Sequence, residues 1–157
     1  MEIYELRVLL SPAAGVIVPL QEVSGGESGR LHGEGFALTA PDGLRGFLQR
    51  AVPVVEIRAP ADGAVISVGE DNFRLRTGDG LELEVLLCAA GEIFVRTGEV
   101  IMSGECCGRI SREDFCASPA GIIVRFPESS GVSELHVLGG FKKPVRPAAE
   151  YRLRTDK

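Results

Sequence analysis

Tryptophan is absent from this chain of 157 residues, aromatic residues make up 6% of it, and histidine occurs only twice. Lysine is absent before Lys142. This absence excludes a biotinyl or lipoyl carrier, because such a carrier needs a lysine at the tip of a hairpin. Gly-Lys-Ser and Gly-Lys-Thr are absent too, so the chain has no P-loop for nucleotide phosphates.

Long apolar runs and basic stripes are also missing. No apolar run approaches the length of a membrane span, and residues 1–5 are acidic where a secretory signal needs basic residues. The net charge is −5, which argues against a nucleic-acid binder. We therefore expect a cytoplasmic protein that neither enters a membrane nor binds nucleic acid.

The four cysteines are not spaced as Cys-x-x-Cys pairs. Cys106 and Cys107 are adjacent, which is poor geometry for a disulfide between them. A zinc site needs converging ligands, and His32 and His136 are the only imidazoles available. We expect reduced thiols, no metal and no cofactor. Because Cys88 ends an apolar run, we expect it to be a buried and inert thiol.

What the chain does contain is glycine, proline and short alternating segments. Its 20 glycines and 9 prolines are typical of many short strands joined by tight turns. Between residues 59 and 88, strand-length pieces are separated by glycine turns. Residues 43–52 and a segment opened by Ser111 are the helical candidates, and each is short. The sequence thus predicts one all-β domain over residues 1–157, an antiparallel β-sandwich or barrel with at most short helical turns.

Segments of the chain also resemble one another. Ser11–Val18 resembles Ala59–Ile66, with Gly15 and Gly63 separated by 48 residues. A second echo pairs the Gly-x-Gly segment at Gly33 and Gly35 with the one at Gly78 and Gly80. Two such units are too few for a solenoid. The pattern favours a duplicated, intertwined β-sandwich or barrel.

An ordered set of residues between about 11 and 154 resembles enzyme IIA of the glucose type, the phosphoryl carrier of the bacterial sugar phosphotransferase system. The residues that carry the resemblance are Ser11, Pro12, Gly15, Gly33, Gly35, Ala37, Pro60, Asp62, Gly63, Phe73, Gly78, Gly80, Glu82, Val85, Gly91, Phe94, Gly98 and Gly104. The resemblance implies the duplicated hybrid β-sandwich fold and a cytoplasmic location. It also implies a face on which two histidines receive phosphate from the carrier HPr and pass it to a sugar-permease domain.

Both family histidines are missing at the matching positions. The first position holds Asp71, two residues before Phe73, and the second holds Leu86, directly after Val85. Phosphoryl transfer between carriers needs an unprotonated nucleophile in line with the phosphorus, and a neutral imidazole provides one. Leucine provides none. An aspartyl phosphate would call for a cation beside Asp71, where the sequence instead places a second acid, Glu70.

Three hypotheses follow from this departure. The first is an enzyme-IIA-like protein that is catalytically inactive and binds proteins, possible partners being HPr or a sugar-permease domain. The second is an active phosphocarrier with a relocated acceptor, either His32 or Asp71, which leaves open whether the chain is an enzyme. The third is a small-ligand binding module unconnected to sugar transport. For the first hypothesis, the expected partner-binding residues are His32, Phe36, Phe73 and Val85. His136 is expected to be an outward-facing residue of a late strand.

Overall fold

The computed structural model describes residues 4–23, 34–41, 53–118, 120–127 and 132–154. Strands dominate these ranges, and the prediction of an all-β antiparallel fold is confirmed. The strands are β1 (Tyr4–Leu10), β2 (Gly15–Pro19), β3 (Glu34–Thr39), β4 (Val54–Arg58), β5 (Gly63–Val68), β6 (Asn72–Thr77), β7 (Glu82–Leu87), β8 (Gly91–Ile93), β9 (Val100–Ile101), β10 (Cys106–Ser111), β11 (Ile122–Phe126), β12 (Val132–Val137), β13 (Gly140–Lys142) and β14 (Pro147–Arg154).

The strands form three antiparallel sheets around one core. The largest has eight strands in the order β13-β2-β3-β11-β7-β6-β5-β9, and the two others are β1-β14-β12 and β4-β10-β8. Successive side chains of a strand point to opposite faces, so every second residue enters the core. In β6 these are Phe73 and Leu75, and in β7 they are Leu83, Val85 and Leu87, all buried in one cluster.

The eight-stranded sheet consists of two equivalent halves. Counted inward from one edge, β13, β2, β3 and β11 correspond to β9, β5, β6 and β7 counted inward from the other edge. Reciprocal hydrogen bonds join the two halves: Leu10 donates to the Pro60 carbonyl at 2.9 Å, and Arg58 donates to the Pro12 carbonyl at 2.7 Å. The first sequence echo, Ser11–Val18 against Ala59–Ile66, therefore marks a true structural duplication.

The second echo does not mark equivalent positions. Gly35 lies within β3, whereas Gly80 lies in the turn before β7 at a φ of 84°. The counterpart of β3 is β6, and the counterpart of β7 is β11. The two Gly-x-Gly segments are alike because turns and close strand contacts both favour glycine. Gly33 lies outside the described residues.

The predicted helical turn at Ser111 is confirmed. Helix α1 spans Arg112–Ala117, and the Ser111 hydroxyl accepts a hydrogen bond from the Asp114 amide at 3.4 Å. Residues 43–52, the other helical candidate, lie outside the described residues. Within the described ranges, no helix has both the length and the apolar character that a membrane span requires.

Candidate functional site

Asp71 and Leu86, the two residues that the sequence resemblance matches to the family histidines, border the outer face of the eight-stranded sheet, the face opposite the main core. On that face the strand register places Leu86 of β7 between Asn72 of β6 and Ile123 of β11. Ile123 in turn lies opposite Ala37 of β3. These four side chains form a row across the middle of the sheet.

Leu86 is buried in a small apolar cluster on this outer face. Its relative exposure is 7%, and its neighbours in the cluster are Leu20, Ala37, Ala120 and Ile123. The partly buried Val18 and Val23 pack against the same cluster. Leu86 is therefore apolar and covered, and its side chain offers no nucleophile and no proton acceptor.

Asp71 lies in the short turn between β5 and β6 and is exposed. Its backbone carbonyl accepts a hydrogen bond from the Leu87 amide at 2.7 Å, and the Gly69 amide donates to the Asn72 carbonyl at 2.7 Å to close the turn. Glu70 beside it is exposed as well. The backbone of Asp71 thus ties the hairpin to the end of β7, while its carboxylate projects from a turn that already carries a second acid.

A buried ion pair lies directly beside the Leu86 row. The Glu84 residue is only 3% exposed, and its Oε1 accepts a hydrogen bond from Arg125 Nε at 2.7 Å. Its Oε2 accepts one from Asn72 Nδ2 at 2.7 Å, and Arg74 Nε lies 3.7 Å from the same oxygen. Both carboxylate oxygens are therefore occupied by partners from neighbouring strands, as a buried charge requires.

Sequence reasoning missed this cluster of Asn72, Glu84 and Arg125. The signal that marks it is strand parity: Glu84 shares a face with Leu86 in β7, and Arg125 shares a face with Ile123 in β11. In each of these two adjacent strands, a charged residue lies two positions from a buried apolar residue and so on the same face. This pattern indicates that the two charged residues pair with each other. Neither segment reveals the pairing by itself, because β7 and β11 are far apart in sequence.

Phe36, Phe73 and Val85 do not form an exposed patch, which corrects the expectation that they would present a docking surface. Their relative exposures are 0%, 1% and 0%, and all three belong to the main core. The reason is again parity, since each shares its strand face with core residues. The side chains one position away, namely Ala37, Asn72 and Leu86, are those on the outer face.

Of the two histidines, His136 lies within the described residues and His32 does not. His32, the proposed substitute acceptor, lies outside the described residues, so its place relative to Leu86 stays a prediction. His136 is exposed on β12, opposite Glu150 of β14, and this confirms that it is an outward-facing strand residue. Within the described ranges, no three His, Cys, Asp or Glu side chains are grouped as metal ligands.

The cysteines follow a different pattern from the one expected. Cys88 is exposed, as is Cys116, so the expectation of a buried Cys88 thiol is wrong. β7 ends at Leu87, and Cys88 therefore falls in the bend after the strand. Cys107 is the buried cysteine, and its burial raises the pKa of the thiol to about 12. Its Sγ donates to the Ile57 carbonyl at 3.3 Å.

No protein-family model matches the sequence, and no curated protein matches it. Among solved structures, the chain is similar to the glucose permease IIA from Mycoplasma capricolum, with a TM-score of 0.70 and 20% sequence identity. The alignment covers 93% of this chain and 96% of that one. The chain therefore has the glucose-type enzyme IIA fold over nearly its whole length, as the resemblance implied.

Proposed function

We propose that this chain is an enzyme-IIA-like protein related to sugar uptake by the phosphotransferase system, that it carries no phosphate at the usual face, and that it acts by binding proteins. The observation that carries the proposal is the burial of Leu86 in an apolar cluster at the position of the second family histidine. A phosphoryl group cannot be accepted by a leucine side chain, and a covered apolar surface excludes the dianion.

The surroundings of Asp71 support the same conclusion. An acyl phosphate needs a cation to neutralise the phosphoryl oxygens. Here the neighbouring residue is the exposed acid Glu70, and the Arg125 guanidinium on the sheet face is already hydrogen-bonded to Glu84. A phosphorylated donor would therefore meet like charge at the turn rather than a site that stabilises the transferred group.

A protein that keeps the carrier fold without its nucleophiles stays permanently in one charge state. Partners that distinguish phosphorylated from unphosphorylated enzyme IIA would read it as a fixed signal. The partner class proposed is that of the family, namely HPr or a sugar-permease domain, and the proposed location is the cytoplasm. Recognition would involve surfaces other than the core residues Phe36, Phe73 and Val85.

The proposal is tested by incubating the purified chain with phosphoenolpyruvate, enzyme I and HPr and measuring its intact mass. A glucose-type enzyme IIA that retains both histidines is the positive control. We expect no added phosphoryl group on this chain, together with measurable binding to HPr or to a permease domain by titration calorimetry.

Other outcomes overturn the proposal in distinguishable ways. A mass increase of one phosphoryl group that disappears in His32→Ala or in Asp71→Asn would make the chain an active carrier with a relocated acceptor. Absence of both phosphorylation and protein binding would remove the phosphotransferase role, and a small molecule that binds in a ligand screen would then favour a ligand-binding module.

A further inference from the structure

Among the described strands, β1 lies at the edge of its sheet and carries exposed apolar side chains. Within the described part of the chain, β1 pairs with β14 on one side and with no strand on the other. Leu6 is 60% exposed and Val8 is 39% exposed, and both lie on the outer face of the β1-β14-β12 sheet. A long, unpaired edge strand with apolar residues is a template for pairing with another strand.

The duplication within the fold provides an internal comparison. The reciprocal hydrogen bonds at Leu10 and Arg58 make β4 the counterpart of β1, so Val8 corresponds to Glu56. Glu56 forms an ion pair with Arg58 at 2.8 Å and lies opposite Arg109 of β10. The same position of the fold is thus charged and paired in the second half. The fold itself therefore does not require an apolar residue where Val8 stands.

The counterpart of Leu6 in the second half of the fold also differs from it, because it is partly buried. Val54 of β4 corresponds to Leu6 and is partly buried, and helix α1 is in contact with β4. The Arg112 amide of that helix donates to the Pro53 carbonyl at 3.1 Å, which fixes the helix to the strand. No described element covers Leu6 in this way. Within the described residues, one half of the molecule has a helix against its edge strand and the other half has none.

We infer that β1 pairs in antiparallel fashion with β1 of a second copy of this chain, joining the two β1-β14-β12 sheets into one continuous six-stranded sheet. Charge complementarity favours a second copy as the occupant. In the register that places Leu6 opposite Leu6, Glu5 of each copy lies opposite Arg7 of the other. Arg7 already contacts Glu5 and Asp79 within the chain, so pairing would extend this contact into a row of alternating charges.

The remaining residues of the sheet face suit the edge of such an interface. Arg152 lies opposite Leu6 and is exposed, while Glu150 lies opposite Val8 and opposite the exposed His136. These polar groups would surround the apolar pair of leucines, which is the usual arrangement of a protein interface. A dyad through β1 also satisfies the self-complementarity that a symmetric dimer requires.

The experiment is sedimentation velocity of the full chain over roughly a hundredfold range of concentration. We expect a monomer–dimer equilibrium whose dissociation constant rises more than about tenfold in Leu6→Lys, because each dimer loses two buried leucines and gains two charges. Val100→Lys is the matched control, since Val100 is an apolar strand residue with 72% exposure on β9, away from β1. It should leave the equilibrium unchanged.

A charge exchange tests the register without relying on Leu6. Glu5→Arg alone and Arg7→Glu alone place like charges opposite each other, so each variant should dimerise more weakly than the unmodified chain. An equimolar mixture of the two restores both opposite pairs and should form a heterodimer. Circular dichroism of each variant verifies that it is folded.

Three results would overturn the inference, and none of them bears on the phosphate-free proposal above, which is tested separately. A monomeric chain at every concentration excludes a dimer. A dimer that persists in Leu6→Lys and in both charge variants uses another surface. A monomeric chain whose β1 edge instead binds a strand from a different protein, protected from hydrogen exchange only in that complex, assigns the edge to another partner.

Discussion

At the scale of single residues, the site is decided by which of two adjacent side chains faces the core. Val85 and Leu86 are neighbours in β7, yet Val85 belongs to the main core and Leu86 to the apolar cluster on the outer face. The same distinction separates Phe73 from Asn72 in β6. Leu86 offers no nucleophile on that face, and Glu84 two positions earlier pairs there with Arg125.

The Glu84 carboxylate is predicted to stabilise the fold by neutralising Arg125. Glu84→Ala removes this carboxylate from beside the Arg125 side chain, which is only 14% exposed. We expect the free energy of unfolding to fall by about 3 kcal/mol, because Arg125 and Asn72 each lose a buried carboxylate that accepts a hydrogen bond from them. Urea denaturation measures the change.

The matched control for that substitution is Glu82→Ala in the same strand. The Glu82 side chain is 46% exposed and lies 3.8 Å from Arg74, so its loss should cost less than about 0.5 kcal/mol. Equal effects of the two substitutions would show that burial of the Glu84 pair has no energetic consequence.

At the scale of elements, the duplication explains an unusual backbone conformation. Val145, in the turn between β13 and β14, has a φ of 65°, which is unfavourable for a β-branched residue. Its amide donates to the Ser11 carbonyl at 2.9 Å. In the other half, Gly104 at a φ of 87° donates in the same way to the Ala59 carbonyl at 2.9 Å. Both halves need the left-handed conformation, and only one has the residue that adopts it freely.

The two equivalent turns predict opposite effects of substitution. Val145→Asn should stabilise the protein by about 1 kcal/mol, because asparagine tolerates positive φ better than valine. Gly104→Ala should destabilise it by about 1 kcal/mol, because alanine is strained at a positive φ that glycine adopts freely. A steric clash does not contribute, since a Cβ at this position would lie 3.4 Å from Val145, an ordinary contact distance. Thermal unfolding of both variants provides the comparison, and a loss of stability in Val145→Asn would contradict the strain at this residue.

Strand assignment from the sequence was incomplete at the same scale. The strand-length pieces predicted between residues 59 and 88 are confirmed as the strands that contain Phe73 and Leu83. No strand was assigned to Tyr4–Leu10 or to Cys106–Ser111, although both are strands. In β10 the register shifts between Cys106 and Gly108, and this bulge interrupts the alternation on which prediction depends.

At the scale of the whole molecule, one half of the duplication is continuous and the other is not. Strands β4 to β10 follow one another from Val54 to Ser111, whereas their counterparts come from both ends of the chain. The main core cluster contains residues of both halves, and β7 pairs directly with β11. Neither half therefore has a complete core of its own.

This arrangement predicts that a fragment of residues 53–111 does not fold as a monomer. The fragment keeps every strand of the β4-β10-β8 sheet but loses β11 and core residues such as Phe36 and Phe126. We expect a monomeric fragment without a cooperative thermal transition by circular dichroism, while the full chain unfolds in one transition. A cooperative transition of the monomeric fragment would contradict the single-domain prediction for residues 1–157.

The fold class, the duplicated Pro-Gly turns and the lack of an imidazole at Asp71 and Leu86 are all visible in the amino-acid sequence. These follow from local patterns, since alternation, turn residues and a missing imidazole are all visible in a few consecutive positions. The burial of Phe36, Phe73 and Val85, the cover over Leu86 and the pairing of Glu84 with Arg125 become visible only in the folded chain. These depend on which face of a strand meets the core and which distant strand lies beside it, and pairing between β7 and β11 joins segments whose sequences carry no mark of each other.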